Sequence, residues 1–345
     1  MKLLAIDTSG PVCGVAVLED DELCEFYLER EGAEKQAGNI YKGRVQNVLP
    51  GMQAAFVDIG TDRNAFLYLG EPELDKRDFV FGGEGEAPRI QRPKKPVKSS
   101  QEIMVQVIKE PDATKGARIT THITLPGRYV VLAPSVDYVG VSRRIRDDAE
   151  RQRLKEEAER VQPEGMGLIV RTAAEGMNAE DFAADIETLT ARWKEIEKRF
   201  QVRKAPCCIH KDESLISRTV RDLFTPDVDR LVLEKGENVE KVRETLRSIS
   251  PELETRVVPY EGQLPVFDAY RIESRLDKAL QHKVWLKNGG YLYVDQTEAL
   301  TVIDVNTGKF VGSLDLQDTV FRMNCEAAVE IARQIRLRDL GGIII

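Results

Sequence analysis

Leu300-Thr-Val-Ile-Asp304-Val-Asn306-Thr-Gly308 is followed by Asn324-Cys-Glu326-Ala-Ala and then by Ala332-Arg-Gln-Ile-Arg-Leu-Arg-Asp339-Leu-Gly-Gly342-Ile-Ile-Ile345. Successive strand residues point to opposite faces, so Asp304 and Asn306 share one side of an apolar strand. A basic amphipathic helix carrying Arg333, Arg336 and Arg338 comes next, and a second apolar strand opens behind it. Mg2+ takes oxygen ligands and works with one or two protein carboxylates plus water and phosphate. Held against a phosphodiester, such an ion lowers the pKa of a water and offsets the charge that builds on the phosphoryl oxygens. Asp304 is the ligand in this reading, and the Asn306 amide holds the phosphate or the carboxylate without adding charge. Asp-x-Asn also occurs in many turns. Its context strengthens it here, because Tyr291-Leu-Tyr-Val294-Asp-Gln-Thr-Glu298-Ala precedes it as a hairpin strand. Arg336 and Arg338 either reach backbone phosphates or face solvent. A carboxylate at the end of the second strand would complete a two-acid metal site, and the quoted run stops before one arrives.

The 345 residues allow two or three domains at ~150 residues each. Charged residues make up 31% and aromatics 6%, as in a globular protein. No stretch approaches the ~18 consecutive apolar residues of a membrane helix. Met1-Lys-Leu-Leu-Ala-Ile6 is interrupted by Asp7 and lacks a cleavage site, so it does not read as a signal peptide. A net charge of −8 argues against indiscriminate coating of nucleic acid; any RNA contact must come from local basic patches. Five cysteines without regular spacing argue against a disulfide framework and for a reducing cytoplasm. Cys207-Cys208 lies near His210, but adjacent thiolates rarely fit a tetrahedral zinc site.

Along the chain the patterning changes four times. Residues 1–37 open as a meander: Leu4, Ile6, Val15 and Val17 alternate around the turn Asp7-Thr-Ser-Gly-Pro11, and Leu23 to Leu28 supply a third strand. Such a meander commonly starts a ribonuclease H-like fold. Ala5-Ile-Asp7-Thr8-Ser9-Gly10 also resembles the phosphate-facing start of actin-like ATPases, which keeps a nucleotide-binding alternative open. Residues 38–124 turn to short strands, with Tyr41, Lys42, Phe56, Phe66 and Lys115 as a basic-aromatic set. Bases can stack on such rings while lysines meet phosphates; equally, Phe56 and Phe66 can be barrel core. Pro88 to Lys98 is Pro-rich and basic, and reads as a mobile loop. Residues 125–212 are α/β. A helix from Asn178 to about Arg203 places Phe182, Ile186, Leu189, Trp193, Ile196 and Phe200 on one stripe, the pattern of core packing. Arg171-Thr172 leaves the apolar strand Gly167 to Val170, and a guanidinium beside a hydroxyl suits a terminal phosphate. Arg143-Arg144 is either the rim of that pocket or a solvated basic turn. Residues 213–275 alternate helix and strand.

These runs resemble the ribonuclease E/G family from about Cys24 to Ile345. The match is most specific in Gly38 to Phe66, Thr114 to Thr124, Ile169 to Gly176 and Lys287 to Ile345. The resemblance implies an α/β multidomain architecture. Residues 1–37 and 213–275 would be two parts of a split ribonuclease H-like unit. An S1-like OB barrel (38–124) and a 5′-sensor (125–212) are inserted into it. Residues 276–345 would be an incomplete DNase I-like catalytic domain. It implies an endoribonuclease acting on single-stranded RNA with Mg2+ at Asp304 and Asn306 and favouring 5′-monophosphorylated ends through Arg171 and Thr172. A non-catalytic RNA-binding module is the alternative that the missing second acid supports. In the family a further aspartate and a Zn2+-binding Cys-x-x-Cys joining two protomers follow the quoted run. The chain therefore reads as an N-terminal fragment that binds RNA and cleaves it weakly, a homo-oligomer when full length. Gly51-Met-Gln-Ala-Ala-Phe56-Val-Asp-Ile-Gly60 and Asn306-Thr-Gly-Lys-Phe-Val-Gly312 lie nearer the G branch of the family.

Overall fold

A computed structural model describes residues 1–30, 35–70, 79–81, 97–111, 115–310 and 316–345. The Pro-rich basic stretch lies outside these except for Val97 and Lys98. Two compact units form: Met1–Ala33 with Leu215–Ile345, and Glu34–Ser214.

The first unit is built on a five-stranded sheet. Lys2–Asp7, Val12–Glu19 and Glu22–Arg30 form the antiparallel meander, and Lys2–Asp7 pairs in parallel with Arg230–Glu234. Val257–Tyr260 extends the sheet beyond that strand. Leu4, Ile6, Val15 and Val17 are buried with Val220, Val239, Val242 and Leu246 on one face. Leu3, Ala5, Ala16 and Leu18 are buried with Val266 and Ile272 on the other. The alternation expected of this first strand is therefore only half of its pattern: Leu3 and Ala5, between the alternating positions, are buried as well, as in a strand covered on both faces.

The same unit carries a four-stranded sheet: Lys283–Trp285, Tyr291–Gln296 and Leu300–Asn306 run antiparallel, and Ile343–Ile344 adds in parallel. The helix Leu316–Leu337 covers one face, where Met323 and Ala327 pack on Val284 and Leu292. Gly290 permits that approach: a Cβ there would lie 2.4 Å from the Met323 methyl and 2.9 Å from the Asn306 carbonyl oxygen.

In the second unit, Ile40–Leu49, Ala54–Asp58, Ala65–Tyr68, Arg118–Thr120 and Glu102–Lys109 pair in that order, and the last returns to the first. The result is a closed five-stranded barrel, consistent with an S1-like OB fold, around Val45, Ala55, Val57, Leu67, Val105 and Ile119. A second sheet contains Val130–Ala133, Gly167–Val170 and Val139–Ser142. It is packed by Asp148–Val161 and Ala179–Val202, whose Phe182, Ile186, Leu189 and Ile196 are buried as the stripe predicts. The second helix starts in a capping box: the Asn178 side chain accepts from the backbone N–H of Glu180 and Asp181, and Asp181 accepts from that of Asn178.

Candidate active site and RNA interface

Asp304 and Asn306 stand on the strand Leu300–Asn306, opposite Tyr293 and Tyr291 respectively. Asp304 is exposed and Asn306 half-buried. The Asn306 amide nitrogen donates to Asp304 Oδ2 at 2.8 Å. That bond fixes the carboxylate's orientation and leaves Oδ1 and the Asn306 amide oxygen as two hard oxygen donors. Such a pair fits part of a divalent-cation site whose remaining ligands are water and phosphate. No group of three or more His, Cys, Asp or Glu positioned to hold a metal occurs among the described residues.

The following arginines do something the sequence does not suggest. Arg336 bridges Glu19 and Glu25 across the meander at 3.0 and 2.8 Å. Arg333 donates to the Leu23 carbonyl and pairs with Glu330. Arg338 donates to the carbonyls of Ala279 and Gln281. All three tie the helix to neighbouring elements of its own unit rather than standing in solvent for phosphate.

On the barrel, Phe56 and Phe66 are cross-strand partners, half-buried, with centroids 5.9 Å apart and planes at 72°. They lie outside the barrel's core cluster. Arg118, exposed, sits directly opposite Phe66 on the next strand. Sequence reasoning missed it, although its alternation with Ala117 and Ile119 marks it as outward-facing. Lys115 is exposed at the adjoining turn. Gly116 keeps that turn against the barrel, since a Cβ would fall 2.1 Å from the Asn64 carbonyl oxygen.

Tyr41 and Lys42 depart from the expected RNA-binding role. Tyr41 is only 7% exposed and belongs to the barrel core. The Lys42 ammonium lies 2.9 Å from each of the carbonyl oxygens of Phe200 and Arg203, 3.0 Å from Glu102 and over the Phe200 ring. Lys42 and Arg44 together hold the Glu102 carboxyl below its ordinary range. A buried ammonium with three oxygen partners is committed to the fold.

Arg171 follows Gly167–Val170. Its backbone N–H donates to the Tyr129 carbonyl, and Nη1 donates to the Gly127 carbonyl at 2.5 Å. Thr172 is exposed at the start of a short 3-10 turn. Arg143 and Arg144, both exposed, leave the adjacent parallel strand, where Val141 faces Val170; this register brings both strand ends to the same edge.

The Asp7-Thr8-Ser9 turn is internally satisfied. Asp7 is buried; its carboxylate accepts from Ser9 N–H, Ser9 Oγ and Phe267 N–H, while Thr8 donates to Glu234. A carboxylate so engaged anchors the meander instead of facing a nucleotide. Cys207 and Cys208 lie in Cys207–His210, which pairs with the barrel strand Ile40–Leu49. Among the described residues no helix is long and apolar enough to cross a membrane.

The pattern of the ribonuclease E/G family matches residues 124–345. The chain is 44% identical to ribonuclease G of Salmonella typhimurium (strain SL1344) over 342 residues, 99% of this chain and 70% of the relative. This chain belongs to the ribonuclease E/G family. Ribonuclease G of Escherichia coli (strain K12) is 43% identical over the same shares. Ribonuclease E of Nostoc sp. (strain PCC 7120) is 40% identical over 96% of this chain and 47% of the relative. Membership agrees with the mixed α/β architecture and the closed barrel, and favours neither the nucleotide-binding nor the non-catalytic alternative.

Proposed function

We propose that this chain is an endoribonuclease of RNA processing and decay that cleaves single-stranded RNA, with Asp304 and Asn306 at the reacting phosphate. The observation that carries this is the Asn306–Asp304 hydrogen bond on an exposed strand face, in a chain that belongs to the ribonuclease E/G family. A Mg2+ ion bound there supplies an activated water and charge relief at the phosphoryl oxygens. Asp304 would hold it through Oδ1, and Asn306 keeps the carboxylate turned towards the substrate face. Phe56 and Phe66, with Lys115 and Arg118 beside them, stack and pair with the incoming strand.

Arg171, Thr172, Arg143 and Arg144 receive a terminal 5′-phosphate. Support comes from the shared edge of their two strands and from the fit between a guanidinium and a phosphate dianion. The reading places the protein in the cytoplasm as a homo-oligomer. It divides the chain into the split ribonuclease H-like unit, barrel, sensor and DNase I-like catalytic domain set out from the sequence.

Asp304→Asn tests the core of this reading. It removes the charge that holds the cation and keeps the shape. Cleavage of a single-stranded oligoribonucleotide in Mg2+ should fall by at least about a hundred-fold, the scale of losing a charge-stabilising group at a reacting centre. RNA affinity measured in EDTA should be unchanged. Cleavage that persists at the native rate would remove Asp304 from the chemistry.

A further inference from the structure

We propose that Lys283, Trp285, Tyr291 and Tyr293 form a nucleobase-stacking strip that seats single-stranded RNA beside Asp304. This rests on the nuclease reading above and adds a substrate-binding surface on the catalytic sheet itself. Register puts the whole set on one face. Trp285 faces Tyr291, which faces Asn306; Lys283 faces Tyr293, which faces Asp304. Directly opposed residues project to the same side of a sheet, so two rows cross it, each running from the strip to one member of the Asp304–Asn306 pair. The opposite face holds Val284 and Leu292, packed under the helix through Met323 and Ala327.

The strip is pre-arranged and partly exposed, with Lys283 and Tyr291 half-buried. Trp285 is 57% exposed and Tyr293 36%. Their rings stand edge to face with Tyr291, at centroid distances of 5.3 and 5.4 Å. The Lys283 ammonium sits 3.7 Å from the Tyr291 centroid and 4.2 Å from that of Trp285. A solvent face of an antiparallel sheet ordinarily carries polar side chains. Three aromatic rings around one ammonium instead match what single-stranded nucleic acid requires, π-faces for bases and a cation for phosphate. Continuity with Asp304 and Asn306 favours RNA over a protein partner: a strand lying along either row runs directly onto the candidate reacting phosphate. The signal is present in the sequence as aromatics at alternate positions 291 and 293 behind Lys283 and Trp285.

Trp193 and Trp285 are the two tryptophans, so Trp193→Phe leaves Trp285 as the sole indole. Its fluorescence is titrated in EDTA with a ten-nucleotide oligoadenylate and with a base-free ribose-phosphate chain of equal length. Oligoadenylate should quench the emission, and the base-free chain should not. In steady-state cleavage, Trp285→Ala should raise KM about ten-fold, the scale of one lost stacked base, with kcat unchanged. Trp285→Phe should restore most of the loss. Oligoadenylate that leaves the emission untouched, or an unchanged KM in Trp285→Ala, overturns the strip. If quenching occurs while Asp304→Asn still cleaves at the native rate, Asp304 is not at the reacting phosphate and the strip stands as an RNA surface without its link to that residue. If cleavage needs Asp304 and no quenching occurs, the strip alone fails.

Discussion

At Lys42 an ammonium meets two carbonyl oxygens, those of Phe200 and Arg203, at the C-terminal end of the helix Ala179–Val202. The last carbonyls of a helix lack intrahelical donors and carry partial negative charge, so a cation there satisfies both needs. Lys42→Met keeps the side chain's bulk and strands those oxygens. The expected result is a loss of about 1–3 kcal/mol, read as a lower urea midpoint, with RNA affinity of the folded protein unchanged. Weaker RNA binding at full stability would return Lys42 to the interface. Arg171 carries the opposite expectation. Charge-assisted bonds of ~1.5–3 kcal/mol mean that Arg171→Ala should slow cleavage of 5′-monophosphorylated RNA by roughly ten- to a hundred-fold. The rate on 5′-hydroxyl RNA should hardly change. Equal losses on both substrates would make the Arg171–Gly127 bond purely structural.

The barrel strands test whether the outward rings act as an element. Phe56 and Phe66 lie outside the barrel core, so Phe56→Ala and Phe66→Ala should each weaken RNA binding by about ten-fold, the worth of one stacked base. The circular dichroism spectrum should persist. An unfolded barrel would show the rings to be core after all. Periodicity decided most of the elements: the stripe of Ala179–Val202 and the alternation around Asp304 correspond to observed faces. What stayed illegible were partners distant in sequence. Lys42 beside an aromatic in a strand reads identically whether its amine meets phosphate or a helix end 158 positions on. Arg336 reads as solvent-facing until Glu19, 317 positions earlier, is brought against it. The ladder at Lys283–Trp285 and Tyr291–Gln296 depends on register between two strands, and an alternating pattern alone fixes only the side, not the opposite residue.

Across the molecule, two histidines of the Glu34–Ser214 unit make stability depend on pH. Burial lowers the pKa of His122, and burial together with the charge of Arg192 lowers that of His210. The unfolded chain therefore binds protons before the folded one does. Their stabilising contribution is complete above the ordinary value of ~6.5 and is lost as pH falls from there through the lowered values. Urea midpoints should drop between about pH 7 and pH 5, and His122→Asn with His210→Asn should flatten that slope; an undiminished slope would assign it to other groups. The division of the first sheet has a different consequence, for synthesis. Lys2, which opens the meander, donates its backbone N–H to the carboxylate of Asp229, 227 positions later, and its carbonyl accepts from the Asp229 N–H. Ribosomes add ~5–20 residues per second, so a nascent meander waits roughly 10–45 s for the strand that covers its open edge. Through that interval Leu3 to Val17 is an apolar template for pairing with other chains. Slowing elongation across residues 34–214 should therefore lower the share of this protein that reaches its native sheet, read as the soluble yield of a synonymous slow-codon variant.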